Sequence, residues 1–375
     1  MTAMVGQAGD RSEAADSTSR SQVHRQHVVD ARSLGQAETE RWLALRGANP
    51  ALDSPYFHPG FTRAVAATRA GVRVAIGHDV AGQIVSFLPV QLDGRTCHPV
   101  GFPAADFQGP VCDQDVDVDV LGAIRAFGGS SYQFDHLREG VTGFAPWIHA
   151  REQSPFLEVD GGLEGYLSRA SRSGKDKISE ARRLSKRAEK DHGEMRFVAA
   201  SDEHELLDSV IEMKRRQYAA TDARDYFSDS RHVALLHHLL SDRDPEFGGM
   251  LSAVYAGPEL LAAHFGLRAG RVLHWWFPVY NPEYSRLSPG WILLRAAIDA
   301  ADSLGITRID LGRGIDEYKR RAMTGQQFVL QGAAVPSPLR RQALELQRRA
   351  LDAIKSSPVA PALRGAVHRA RRASR

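Results

Sequence analysis

Cysteine is nearly absent. Cys97 and Cys112 are the only two in 375 residues, so there is neither a disulfide framework nor metal-ligand spacing. A reducing, cytoplasmic compartment is the expected location. The opening stretch MTAMVGQAGDRSEAADSTSRSQVHRQ lacks an apolar centre and so does not read as a secretory signal. Residues 1–37 are expected to form a disordered lead. No apolar run reaches membrane-spanning length. The chain also lacks a P-loop, a zinc pattern and a Ser-His-Asp signature. The acidic run DQDVDVDV (113–120) imitates a calcium loop, but Val118 stands where the loop needs glycine and Ile124 where it needs glutamate. No metal is therefore expected.

Charge of one sign is scarce overall, since 48 Lys and Arg face 45 Asp and Glu for a net +3. That balance hides an asymmetry. Residues 339–375 carry ten Lys or Arg against Glu345 and Asp352, a net +8 that leaves −5 for the rest. Residues 336–375 are expected to form a basic helical tail able to touch anionic surfaces. The basic stretch 169–190 is expected to be a solvated helix face, with no specific nucleic-acid partner. Hydrophobic content of 43% and charged content of 25% are those of a soluble globular protein.

What the chain does contain is a repeat. VRVAIGHDVAGQIVSFLPVQLDGRTCHPVGFP reads as strands separated by turns, and so does MLSAVYAGPELLAAHFGLRAGRVLHWWFP. GRTCHPVGFP from Gly94 parallels GRVLHWWFP from Gly270. Each is followed by a loop with a Pro/Gly pair, a helical stretch, and a strand bearing one aspartate, Asp135 or Asp310. Gly94 and Asp135 are 41 positions apart, and Gly270 and Asp310 are 40 apart. Four landmarks in one order at nearly one spacing predict a duplicated α/β unit.

The join SRLSPGWILL (285–294) is the second copy's most informative stretch. Ser288 is an expected N-cap, its hydroxyl taking a helix amide. Pro289 suits the first helical position. Gly290 permits close approach to the backbone. Leu294, Ala297, Ile298 and Ala301 recur at helical spacing, and Gly305 is the expected stop. The helix start, with its amides free at 288–291, is a candidate anion site. Just before it, Pro278 interrupts LHWWFPVYNPEY, so that strand is expected to splay or bulge.

The pieces AAHFGL, YNPEYSRLSPGWILL and IDLGRGIDEYKRR resemble the GNAT-like acetyltransferase domain of the cellulose-biosynthesis CelD-like proteins. LPV…GFPAADFQGPV resembles the first half of the same proteins, and the likeness covers most of 40–330. More distantly the chain resembles the Fem-type transferases, tandem GNAT proteins that add amino acids to cell-wall precursors from aminoacyl-tRNA. The resemblance implies two tandem GNAT-like units, each a mixed, mostly antiparallel sheet flanked by helices. The first (38–155) is expected to lack a donor site, and the second (156–335) to have one. It implies acyl transfer from acyl-CoA to an amine or hydroxyl, on a small molecule, a saccharide or a cell-envelope precursor. Aminoacyl transfer from tRNA and a non-catalytic binding protein in polysaccharide synthesis are the alternatives.

The donor's pantetheine arm would then pair with the strand ending at Val279 and Tyr280. Its pyrophosphate would sit at Ser288, Pro289, Gly290 and Trp291. The motif departs from the usual GNAT cradle in two places, because Arg286 lies four residues before Gly290 and Ile292 occupies the second small-residue position. Acyl transfer needs a base for the acceptor proton and an acid for the leaving thiolate. Asp310 or Glu317 is the candidate base, with His264 as a further one. Tyr318 is the candidate acid, a role the resemblance implies. Lys319 and Arg313 are candidates for holding a phosphate or an acidic acceptor.

Overall fold

Two stretches of the chain trace the same path. The computed structural model describes residues 23–339 together with 341, 342 and 346. Residues 1–22 of the expected lead, and nearly all of the expected basic tail, lie outside the described residues. The first path comprises strand β1 (Arg25–Asp30), helices α1 (Gln36–Ala48) and α2 (Pro59–Thr68), and strands β2 (Val72–His78), β3 (Ile84–Asp93) and β4 (Thr96–Pro99). A short strand β5 (Val111–Cys112), helix α3 (Val120–Ala126), and strands β6 (Ser131–Arg138) and β7 (Ile148–Glu158) complete it. Helices α4 (Gly162–Arg169) and α5 (Arg172–His192) connect the two. The second path runs through β8 (Met195–Ser201), α6 (His204–Thr221), α7 (Ser230–Ser241), β9 (Phe247–Ala256), β10 (Glu259–Ala269) and β11 (Val272–Tyr280). It ends with α8 (Pro289–Asp299), β12 (Arg308–Asp310), α9 (Glu317–Ala322) and β13 (Gly325–Ala334).

The duplication predicted from four landmarks is visible element by element. Gly94 and Gly270 turn matching hairpins at φ +57° and +52°, a left-handed conformation that glycine adopts without a Cβ penalty. β4 and β6 pair in parallel, as do β11 and β12, while the other ladders of the thirteen-stranded sheet are antiparallel. The order is β1-β2-β3-β4-β6-β13-β7-β12-β11-β10-β9-β8, with β5 off the path against β3. The two final strands are exchanged. β7, which follows the first copy, pairs with β12, and β13, which follows the second, pairs with β6. β7 and β13 then pair with each other over Gly325–Gly332, so the halves share one continuous sheet.

One large core lies under α1, α2, α6 and α7 and joins both halves, with Trp42, Phe61, Leu236 and Phe277 among its buried members. A second core, under α4, α5 and α8, belongs to the later half. The periodicity of α5 explains its placement. Ile178, Ala181, Leu184 and Ala188 are buried while the intervening charged residues face outward.

Two expectations need correction. The lead does not extend to residue 37, because Arg25–Asp30 pairs in register with β2 as an edge strand. Gly305 does not stop α8. The helix ends at Asp299, and residues 300–305 continue as turns, with Gly305 at φ +66°. Among the described residues no helix is long and apolar enough to cross a membrane.

Candidate active site

β11 and β12 pair only over Val272–His274 and Arg308–Asp310. Beyond His274 the two strands part, and β11 runs on for six residues with no strand on that side among the described residues. The expected irregularity is present, but it precedes Pro278. Phe265 faces Phe277 and Leu267 faces His274, so β11 carries an extra residue at Trp275–Trp276, and Pro278 keeps its place opposite His264. Trp275 lies on one face of the sheet, over His264, and Trp276 on the other, where its Nε1 donates to Ala104 O at 2.8 Å and where the bulge leaves Phe277 in the same core.

The parting opens a cavity of about 620 Å³. Its β11 wall comprises Trp275, Trp276, Pro278, Val279 and Tyr280. Ser285 and the start of α8, Ser288, Pro289, Gly290 and Trp291, form the second wall. The segment after β12 supplies Leu311, Asp316, Tyr318 and Lys319, α6 supplies Lys214 and Gln217, and the first half supplies Asp106.

The helix start differs from the sequence expectation. Ser288 is left-handed, at φ 49° and ψ 53°, and its side chain caps nothing. An N-cap hydroxyl reaches the helix amides from an extended backbone, which the preceding 3-10 turn Pro282–Leu287 does not provide. The amides are also less free than expected. Ser288 N donates to Ser285 O, and Trp291 N and Ile292 N both donate to Ser288 O. Among the described residues, that leaves Gly290 as the unpartnered amide of 288–292. A Cβ on Gly290 would meet nothing within 4 Å. One amide and the helix dipole therefore face open space.

The candidate chemical groups divide into two sets. Tyr318 lines the cavity, its ring 5.1 Å from that of Trp291. Burial raises its phenol, with Tyr166 and Asp316 adding, so it stays protonated. Lys319 also lines the cavity and donates to Gly312 O at 3.2 Å and Arg313 O at 2.9 Å. The other candidates lie off the wall. Asp310 is fully buried and paired with Arg308 at 2.7 Å, and burial pushes its carboxyl up. Glu317 is exposed and paired with Arg321. His264 is buried beneath Trp275, with ring centroids 3.7 Å apart, and desolvation holds it neutral. Arg313 turns toward the first half, donating to Asp135 O at 2.8 Å. Not one of these four side chains reaches the cavity, because each is satisfied or enclosed elsewhere.

Sequence reasoning missed Asp106 and Lys214. Asp106 lies 3.1 Å from His136 Nε2 through one oxygen and 2.9 Å from His274 Nε2 through the other. His136 Nδ1 also meets Asp135 at 2.9 Å. Burial opposes ionisation of Asp106, yet the two imidazoles hold its carboxyl well below the usual range. Burial likewise opposes charge on His136, but Asp106 and Asp135 raise it to about 9. Gly312 makes room for this carboxylate, since a Cβ there would lie 2.3 Å from Asp106 Oδ2. Lys214 had a legible signal. It follows Leu207, Val210 and Ile211 at helical spacing, on the apolar face of α6 where a charge is out of place.

With this geometry in view, comparisons with known proteins are informative. Residues 175–320, a span running from α5 to α9, match the family described as acetyltransferase (GNAT) domain. No curated protein matches the chain. Among solved structures, FemX is similar at TM-score 0.59 and 11% identity, over 81% of this chain and 98% of that one. The C-terminal domain of a putative lysylphosphatidylglycerol synthetase from Agrobacterium fabrum is similar at TM-score 0.50 and 12% identity, over 84% and 96%. L-PGS from Bacillus licheniformis matches at 0.50 and 11%, over 84% and 96%. At these identities the likeness concerns the fold. Residues 175–320 of the second half are thus similar to a GNAT-type acetyltransferase domain, and the chain's fold is similar to that of these neighbours.

Proposed function

We propose that the chain transfers an acyl group from acyl-CoA to an amine or hydroxyl acceptor, using the cavity between β11 and β12. One observation carries the reading. The edge of β11 left without a strand beyond His274 and the open N-terminus of α8 face a single cavity. That combination suits a donor with an amide-bearing arm and an anionic end. The arm would pair with Val279 and Tyr280, and the pyrophosphate would lie at Ser288, Pro289, Gly290 and Trp291.

In the reaction, the acceptor nitrogen or oxygen attacks the thioester carbonyl carbon. The new C–N or C–O bond forms, the C–S bond breaks, and the sulfur leaves with the proton of Tyr318. Asp106 is too acidic to keep a proton, so it accepts a hydrogen bond from the nucleophile and orients it. The proton released by the acceptor restores the phenol through solvent. Asp310, Glu317 and His264 have no direct part in this scheme.

A saccharide or cell-envelope precursor is the acceptor class to test first, on the resemblance alone. A second donor, an aminoacyl ester of tRNA, is favoured by one feature. The basic outer face of α5 lies on a helix whose inner face packs against α8. The test is thioester consumption across an amine and hydroxyl panel, read as free thiol, beside a parallel aminoacyl-tRNA assay. Tyr318→Phe should slow turnover by about 10²–10⁴-fold and leave coenzyme A affinity nearly unchanged. Full turnover in that variant would remove Tyr318 as the acid. Binding of both donors without turnover on any acceptor would favour a non-catalytic protein.

A further inference from the structure

Lys214 and Lys319 face the same cavity from opposite elements, α6 and α9. Lys214 Nζ donates to Pro278 O at 3.2 Å. Lys319 Nζ donates to Gly312 O and Arg313 O. Among the described residues neither forms an ion pair, although two carboxylates share the cavity. Asp106 is already engaged by His136 and His274. Asp316 accepts from Lys319 N at 2.8 Å as the cap of α9. Two ammonium groups thus share the cavity with carbonyl hydrogen-bond partners, Lys214 also lying 5.6 Å from the centroid of the Tyr218 ring. Burial first, and then the charge of Lys319, push Lys214 down to about 8, while burial lowers Lys319 against the opposing charges of Asp106 and Asp316. An ammonium carries three donors. Lys214 uses one and Lys319 two, which leaves three N–H groups to meet an incoming oxyanion.

Enclosed like charges are unfavourable unless a counter-charge joins them. We infer that Lys214 and Lys319 together bind an anionic group, a carboxylate or a phosphate, on the acceptor. This rests on the acyl-transfer reading and names its substrate class. The acceptor carries its anion close to the attacking nitrogen or oxygen, which Asp106 orients. Lys214 is held by β11 at Pro278 O and Lys319 by the segment after β12, whereas the donor's pyrophosphate is assigned to the start of α8.

The test uses the full chain saturated with coenzyme A, so that the α8 start is occupied. Inorganic phosphate and succinate are titrated separately, and affinity is read from the melting-temperature shift. The two probes distinguish a phosphate from a carboxylate source. Lys214→Met and Lys319→Met keep the aliphatic stems while removing the charge. Each should weaken the preferred anion about tenfold, and the double variant should abolish its effect. Coenzyme A affinity of Lys214→Met should match that of the parent. An anion response in the double variant equal to the parent's would overturn the inference. So would no response of the parent to either probe, or a loss of coenzyme A binding in Lys214→Met, which would assign the pair to the donor. Should coenzyme A fail to bind the parent while the anion response disappears with the lysines, the donor reading falls and the anion site stands.

Discussion

The two halves part their strands at the same place and treat the gap in opposite ways. In the first half β4 and β6 pair at Thr96–Cys97 with Ser131–Tyr132. The gap beyond is then filled by the chain itself. Gln108 bridges in parallel to Leu137, donates its amide to His136 O, and accepts from Arg138 N. Its side chain accepts from the amides of Asp135 and His136 and donates to Ala105 O and to the Asp135 carboxylate. The helix start is closed too, because Asp119 caps α3 by accepting from Gly122 N at 2.8 Å. In the second half nothing among the described residues fills the corresponding gap, and Gly290 leaves the start of α8 open. The plug of the first gap also serves the second, since Asp106, two residues before Gln108, reaches the open cavity. The two halves therefore keep one architecture with one gap filled and the other open, and the open gap is the site in the function proposed above.

The most disruptive way to break this contrast is to remove the plug. Gln108 is buried, and its amide makes four side-chain hydrogen bonds. Gln108→Ala leaves two amides, a carbonyl and a carboxylate each short of a partner, at a cost of about 2–4 kcal/mol in urea unfolding. A change below about 0.5 kcal/mol would show that the first gap is not held by this residue.

The Asp106–His136–Asp135 cluster gives the next largest effect, through pH. His136 has a folded pKa raised to about 9 against an ordinary value of 6.5. Its contribution to stability is complete below about pH 6.5 and is lost as pH rises through about 9. Asp106 is shifted downward, so its contribution is present above its ordinary pKa of 3.8 and is lost only in stronger acid. Stability should therefore decline from pH 6.5 to 9, and His136→Gln should flatten that decline. An equal slope in the variant would mean that another group titrates there.

The two helix starts give the smallest effect and the sharpest pairing. Asp119→Ala removes a working cap and should cost about 1 kcal/mol. Ser288→Ala removes a hydroxyl that caps nothing and should stay within about 0.5 kcal/mol. Equal losses would contradict the contrast between the closed and open starts.

Much of the fold was legible because hairpin turns and strand-helix periods are local. Gly94, Gly270, Asp135 and Asp310 marked the repeat correctly for that reason. The exchange of β7 and β13 was not legible, because both strands have similar neighbours available and the choice is tertiary. The cavity wall at Val279–Tyr280 and Ser288–Trp291 was legible as a contiguous motif. The free amides were not, since the left-handed turn at Ser288 depends on how the chain enters the helix. Asp310 and His264 look like bases in the sequence, but burial and Arg308 become visible only in three dimensions. Asp106 reaches the site from the other half, across 168 positions from His274, and no local pattern encodes such an approach.

The most direct test of the central claim is calorimetric titration of the full chain with acetyl-CoA, with and without Gly290→Glu. The glutamate enters space that is empty within 4 Å of the Cβ, so the fold should survive. It places a negative charge where the donor's phosphates would lie. The expected result is one binding event per chain in the parent, lost at least a hundredfold in the variant, with unfolding otherwise unchanged. Two events per chain, or undiminished binding in folded Gly290→Glu, would contradict the assignment of the open gap as the single donor site.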